Sequence, residues 1–115
     1  MIGEAVPLVL LPRYSSFVGE NTFTTAALRV SDYAKAHVSF WRGPLKSGSF
    51  QAEFQVSHDG QTWDTVTTVT TVDTRDEYSL TLKERWLRME IQISGGNGPA
   101  ITCWCTGLLE KRIAD

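Results

Sequence analysis

Histidine and cysteine are scarce in this 115-residue chain, two of each, which leaves little material for a metal site. Both cysteines lie in Cys103-Trp104-Cys105. On a strand they share a face with Cα atoms about 6.6 Å apart, near the upper limit for a disulfide. A bridge there would close almost no loop and stabilise little, so two buried free thiols are expected. A C-x-C metal pair needs further ligands, and His37 and His58 have no matching spacing, so no metal or other cofactor is expected. An excess of charge is missing too: 11 Lys plus Arg face 13 Asp plus Glu, a net charge of -2. The cations are scattered, which excludes nucleic acid as the main partner, because backbone affinity needs clustered cations. Long apolar runs are absent. The longest, Ala5 to Leu11, is interrupted by Pro7 and stopped by Pro12 and Arg13, well short of the roughly 20 residues that cross a bilayer. No membrane partner is expected. Glu4 stands where a secretory leader carries a basic region, so synthesis in the cytoplasm is the expectation.

What is present suits a folded domain. Hydrophobic residues make up 42% and charged residues 21%, far from the composition of disordered chains, and the length fits one domain over residues 1–115. Thirteen threonines, nine valines, five isoleucines and twelve aromatics weight the chain toward pleated, half-buried surfaces. Turn signals recur at Gly19-Glu20-Asn21, Arg42-Gly43-Pro44, Ser47-Gly48, Asp59-Gly60, Asp73 to Glu77 and Gly95 to Pro99. Between them lie candidate strands at Val6 to Tyr14, Thr22 to Val30, Ala36 to Trp41, Phe50 to His58, Gln61 to Val72, Glu77 to Leu82, Trp86 to Ser94 and Ala100 to Lys111. This pattern predicts an all-β, antiparallel, jelly-roll-like sandwich of roughly eight strands. A helix is limited to at most one turn, at Ser31 to Lys35. The clearest strand is Trp86 to Ser94, where Leu87, Met89, Ile91 and Ile93 alternate with Arg88, Glu90 and Gln92. Val66 to Val72 repeats Val every third residue, a period that fits a strand only with a bulge or bend.

Ser57-His58-Asp59-Gly60-Gln61-Thr62-Trp63 is the most specific local pattern. Asp59-Gly60 between alternating segments predicts a two-residue type I′ turn, with Val56 facing Trp63 and Phe54 facing Thr65. The stretch resembles the Ser-x-Asp-Gly-x-Thr-Trp turns of β-sandwich modules and is one residue shorter than the Asp-box of sialidase propellers. That resemblance implies a structural turn.

Chemistry is sparse. On the inferred registers, neither histidine meets a nucleophile or a carboxylate, so no catalytic dyad and no enzyme is expected. Asp73, Asp76 and Glu77 read as a solvated loop balanced by Arg75, and the glycines after Ser94 read as a flexible connection without a phosphate-binding helix. Aromatics are more informative. Alternation puts Trp41, Trp86 and Trp104 off the core, where loop caps, subunit contacts and sugar stacking are the competing roles. The run Val6, Leu8, Val9, Leu10 and Leu11 is apolar on both strand faces, so residues 1–14 are expected to form an edge strand or a subunit-contacting arm. Together with Trp41, Arg42, Trp86 and Trp104, these residues are the candidate subunit or ligand contacts.

Tyr14 to Gly19, Phe23-Thr24-Thr25, Val38 to Leu45 and Ser57 to Trp63 together look like the small β-sandwich accessory proteins of tailed-bacteriophage virions. That resemblance covers about two-thirds of the chain. It implies a non-enzymatic structural or decoration protein of the virion, located on the particle, with other virion proteins as partners and a homo-oligomeric trimer or ring as the expected state. The alternative from the residues is a carbohydrate-binding module that stacks a glycan on Trp41, Trp86 or Trp104.

Overall fold

The computed structural model describes residues 5–45, 48–69, 75–96 and 99–112. Among them are nine strands and no helix: β1 Ala5–Val18, β2 Asn21–Thr24, β3 Leu28–Arg29, β4 Tyr33–Arg42, β5 Ser49–Ser57, β6 Asp64–Val69, β7 Arg75–Thr81, β8 Trp86–Ser94 and β9 Ala100–Lys111. They form two antiparallel sheets. Sheet A has the order β1-β9-β4-β7, and sheet B has β2-β8-β5-β6 with β3 also on β8. The pairs are nested: β5 with β6, β4 with β7, β2 and β3 with β8, and β1 with β9. A long hairpin folded over itself in this way, its connections crossing between sheets, is a jelly roll.

The ninth strand arises from a pause in one path. Thr25 N–H donates to the Met89 carbonyl, and its hydroxyl accepts from Met89 N–H. That hydroxyl takes the place of a ladder carbonyl, and regular pairing resumes only at Leu28. The expected turn of helix is a turn over Ser31 and Asp32 that runs directly into β4.

The core lies between the sheets. Val38 and Phe40 of β4, Cys103 and Cys105 of β9, Phe54 of β5 and the Leu87, Met89, Ile91, Ile93 series of β8 are all buried. Rings meet in pairs across the gap: Phe40 with Phe50 at 6.2 Å, Phe54 with Tyr78 at 5.6 Å, and Phe17 with Phe23 at 5.0 Å. Both thiols are free, as expected. Burial pushes each up to about 12, since a thiolate there would lose its water.

Two expectations need correction. The amino-terminal run forms an edge strand, and more of it enters the chain's own core than simple alternation predicts. Val9 faces Thr106 and Leu11 faces Cys105, so Leu10 is an extra residue. This bulge turns both Leu10 and Leu11 inward beside Leu8, and all three are buried in the chain's own core. Ala5, Val6, Pro7 and Val9 of the run stay exposed, Val9 at 52%.

The Asp59-Gly60 turn is also longer than two residues. Val56 pairs with Asp64 and Phe54 with Thr67, so residues 58–63 form the loop, and Val66 is bulged out of the register. The cause is the Asp59 side chain. Its Oδ1 accepts from Gln61 N–H at 2.8 Å, Thr62 N–H at 2.9 Å and the Ser57 hydroxyl at 3.1 Å. Amides held by a carboxylate cannot enter the ladder, so β6 starts only at Asp64. Those donors hold the carboxyl at about 2, below its ordinary 3.8, with the Thr62 amide contributing most. Gly60 adopts φ of +78°. Val72 and the rest of 70–74 lie outside the described residues, whereas Asp76 and Glu77 belong to β7 and not to a loop.

Candidate functional site

The outer face of sheet A carries the site. Register fixes its grid. On β4, His37, Ser39 and Trp41 point away from the core, and across on β9 stand Leu108, Thr106 and Trp104. On β7 the partners are Ser79, Glu77 and Arg75. Trp41 and Trp104 are cross-strand neighbours, with rings 6.4 Å apart and 19° from parallel.

A bulge in β1 completes this end of the face. Leu11 faces Cys105 and Ser15 faces Cys103, so β1 spends four steps where β9 spends two. Pro12 has no N–H to give the ladder, and the excess chain loops outward there. Arg13 is thereby carried over Trp104, 5.0 Å from the ring centroid. The chain then returns to register, setting Ser16 against Thr102 with their hydroxyls 3.1 Å apart.

Beyond these hydroxyls an open cavity of about 600 Å³ is lined by Ser16, Val18, Trp41, Gly43, Ala100 and Thr102, among others. Gly43 is bonded through its N–H to the Thr102 carbonyl at 2.8 Å. A Cβ at Gly43 would approach the Trp41 ring to 3.3 Å, so this glycine lets the indole lie close to the sheet end. Among the described residues, no charged side chain lines this cavity.

The four tryptophans divide clearly. Arg13 covers Trp104, Arg29 lies 5.9 Å from the Trp86 ring and Arg88 lies 4.1 Å from the Trp63 ring. Trp41 forms a cavity wall. The three rings expected off the core are indeed off it. Trp63, expected opposite Val56 on the apolar side, is a fourth; the six-residue loop moves it to the outer face of sheet B. Arg42 is the misplaced member of the expected set: as the next residue after Trp41 it faces inward, buried, 5.1 Å from the Phe50 ring.

The histidines also depart from expectation. Both find a carboxylate, and His37 a hydroxyl as well. His37 Nδ1 lies 3.1 Å from the Ser79 hydroxyl and Nε2 lies 3.0 Å from Glu110. His58 lies 3.6 Å from Glu84. Ser79, His37 and Glu110 thereby form one hydrogen-bonded string across β7, β4 and β9. Beside this string a smaller cavity of about 200 Å³ is lined by His37, Ser39, Glu77 and Ser79. Ser39 donates to Glu77 at 3.5 Å, and Arg75 bonds the same carboxylate at 3.0 Å.

Sequence reasoning missed Ser16, Thr102 and Arg13. Their only signal is Pro12, which forbids regular pairing; nothing local reports that residues 86 positions apart share a hydrogen bond.

No family model and no curated protein matches the chain. Solved structures do. A family 29 carbohydrate binding module is 13% identical, with a TM-score of 0.48 over 93% of this chain and 88% of its own. Two mutants of a family 29 module give the same score at 12% and 13% identity, covering 92% and 93% of this chain and 91% and 85% of theirs. The expectation of a virion structural protein is corrected at this point, because the similar structures are carbohydrate binding modules and not virion proteins. At this identity and score the likeness bears no weight for function, and the site must carry its own argument.

Proposed function

We propose that the chain is a non-catalytic glycan-binding module that takes a neutral polysaccharide against Trp41 on the outer face of sheet A. The observation that supports this reading is the open cavity walled by Trp41, with the Ser16 and Thr102 hydroxyls as polar lining. A pyranose ring presents a flat C–H face edged by hydroxyl groups. An indole matches the first, and neutral hydroxyls match the second. The described lining is made of neutral side chains, which suit an uncharged sugar. Trp104 has a supporting part: Arg13 covers it, and it stands beside Trp41 across the ladder. Trp86 is covered by Arg29 and packs against Gly60, which assigns it to the Asp59 loop.

Affinity electrophoresis through gels containing soluble neutral polysaccharides tests the reading. The wild-type chain is expected to be retarded by at least one of them, and Trp41→Ala to run free while keeping its thermal unfolding transition. Equal retardation of Trp41→Ala, or free migration of the wild type in every gel, would overturn it.

A further inference from the structure

The two cavities share strand β4: the first is lined from β1, β4 and β9, the second from β4 and β7. The first opens at Trp41, and the second opens at His37, Ser39, Glu77 and Ser79. Trp41 and His37 both point outward from β4, four residues apart. At strand rise this separates them by about 13 Å. Ser39 stands between them, flanked by Thr106 and Glu77. From the Trp41 ring to the His37 cleft, a straight row of hydrogen-bonding groups therefore follows the strand axis.

Charge along the row is already paired. Arg75 bonds Glu77 at 3.0 Å, and His37 reaches Glu110 at 3.0 Å. Exposed pairs of this kind contribute little to stability. What they do here is hold the Glu77 carboxylate and the His37 imidazole at fixed positions, and His37 in turn fixes the Ser79 hydroxyl that lines the cleft. Planar polar groups at set intervals suit the repeating hydroxyls of a linear chain better than they suit one compact sugar.

Resting on the glycan reading above, we infer that the Trp41 cavity and the His37 cleft are the two ends of one track. The track takes a linear neutral polysaccharide lying along β4, with several sugar units bound at once. Trp41 anchors one unit by its ring face. The Ser79 hydroxyl, positioned by His37, holds a unit farther along by hydrogen bonds.

The test is calorimetric titration of the wild type, Trp41→Ala, His37→Gln and Ser79→Ala with oligosaccharides of increasing length, prepared from whichever polysaccharide retards the wild type. Affinity is expected to rise with length until the chain bridges both cavities and then to level off. Trp41→Ala weakens every length. His37→Gln and Ser79→Ala leave the shortest ligands unchanged and weaken the long ones about fivefold each, the size of one hydrogen bond. Unchanged circular dichroism excludes misfolding as the cause. If His37→Gln and Ser79→Ala bind long oligomers as the wild type does, or if affinity levels off once the Trp41 cavity is filled, the track is overturned while the glycan reading stands. If the wild type binds no polysaccharide, both fall.

Discussion

Gly107 is where the sandwich is least able to accept a side chain. It sits in the middle of β9, facing Leu8 of β1 on one side and Val38 of β4 on the other. A Cβ built there would overlap the His37 carbonyl oxygen and lie 2.7 Å from the Val38 Cα. Both are backbone atoms, so no rotamer change relieves the clash. Carbon contacts settle at about 3.5–4.0 Å, so β4 and β9 must part by about 1 Å to admit an alanine. Ladder bonds starting near 2.9 Å then pass out of range. Two bonds lost at about 1 kcal/mol each, with the strain of overpacking added, put the cost of Gly107→Ala at about 3 kcal/mol or more.

For a domain of this size the loss is a large share of total stability. At a urea slope of about 2 kcal/mol per molar, the unfolding midpoint is expected to fall by about 1.5 M. Equilibrium urea unfolding followed by tryptophan fluorescence measures it directly. A midpoint within about 0.3 M of wild type would show that β4 and β9 do not approach so closely at Gly107, and the register of sheet A would need revision.

Three further outcomes are expected. Gly60→Val should lower stability by about 1 kcal/mol or more in the same assay, because the turn holds φ at +78° and a β-branched side chain resists it. The Asp59 carboxyl is depressed from 3.8 to about 2, so what it adds to stability is present above pH 3.8 and is lost as pH falls through 2. A carboxyl carbon titration by NMR should place its midpoint near 2, and a midpoint at 3.8 would mean that the loop is not closed on Asp59. Cys103 and Cys105, pushed up to about 12, should ignore an aromatic disulfide reagent at pH 8 and yield two thiols once denatured, whereas fast reaction of the native protein would place them outside the core.

Strands whose alternation runs unbroken were legible from residues alone. Trp86–Ser94 and Ala100–Lys111 read to their ends because one face of each is almost wholly apolar, with Gly95 closing the first and Pro99 opening the second. Legibility failed where a side chain or an imino acid competes with the ladder. Asp59 captures two amides and delays β6, and Thr25 substitutes its hydroxyl and splits one strand path. Leu10, as an extra residue, reverses the facing of Leu11, so more of the run enters the core than alternation alone predicts. Of the site, Trp41 was visible by parity with Phe40, and the same parity should have turned Arg42 inward. The hydroxyl pair and the Arg13 cap depend on contacts between distant segments, which strand period does not encode.

The two outer faces differ in what they have left to give a ligand. On sheet B, Gln55 is buried, and its amide donates to both Glu53 and Glu90 at 2.7 Å. Its carbonyl oxygen accepts from Arg88 at 2.8 Å, and Arg88 in turn lies on Trp63. Both donors of Gln55 are thereby spent, and the Trp63 ring has a guanidinium on its face. Opposed carboxylates at Glu53 and Glu90 would repel each other across the ladder without this amide between them, so the network is needed for the sheet itself. On sheet A, the Ser16 and Thr102 hydroxyls share one bond, which leaves one O–H donor and lone pairs on both oxygens. A sugar hydroxyl needs a partner that can donate and accept by a small rotation, and a free rotor beside an indole wall meets that need. Spare capacity, more than the presence of tryptophan, is what separates the proposed binding face from the other.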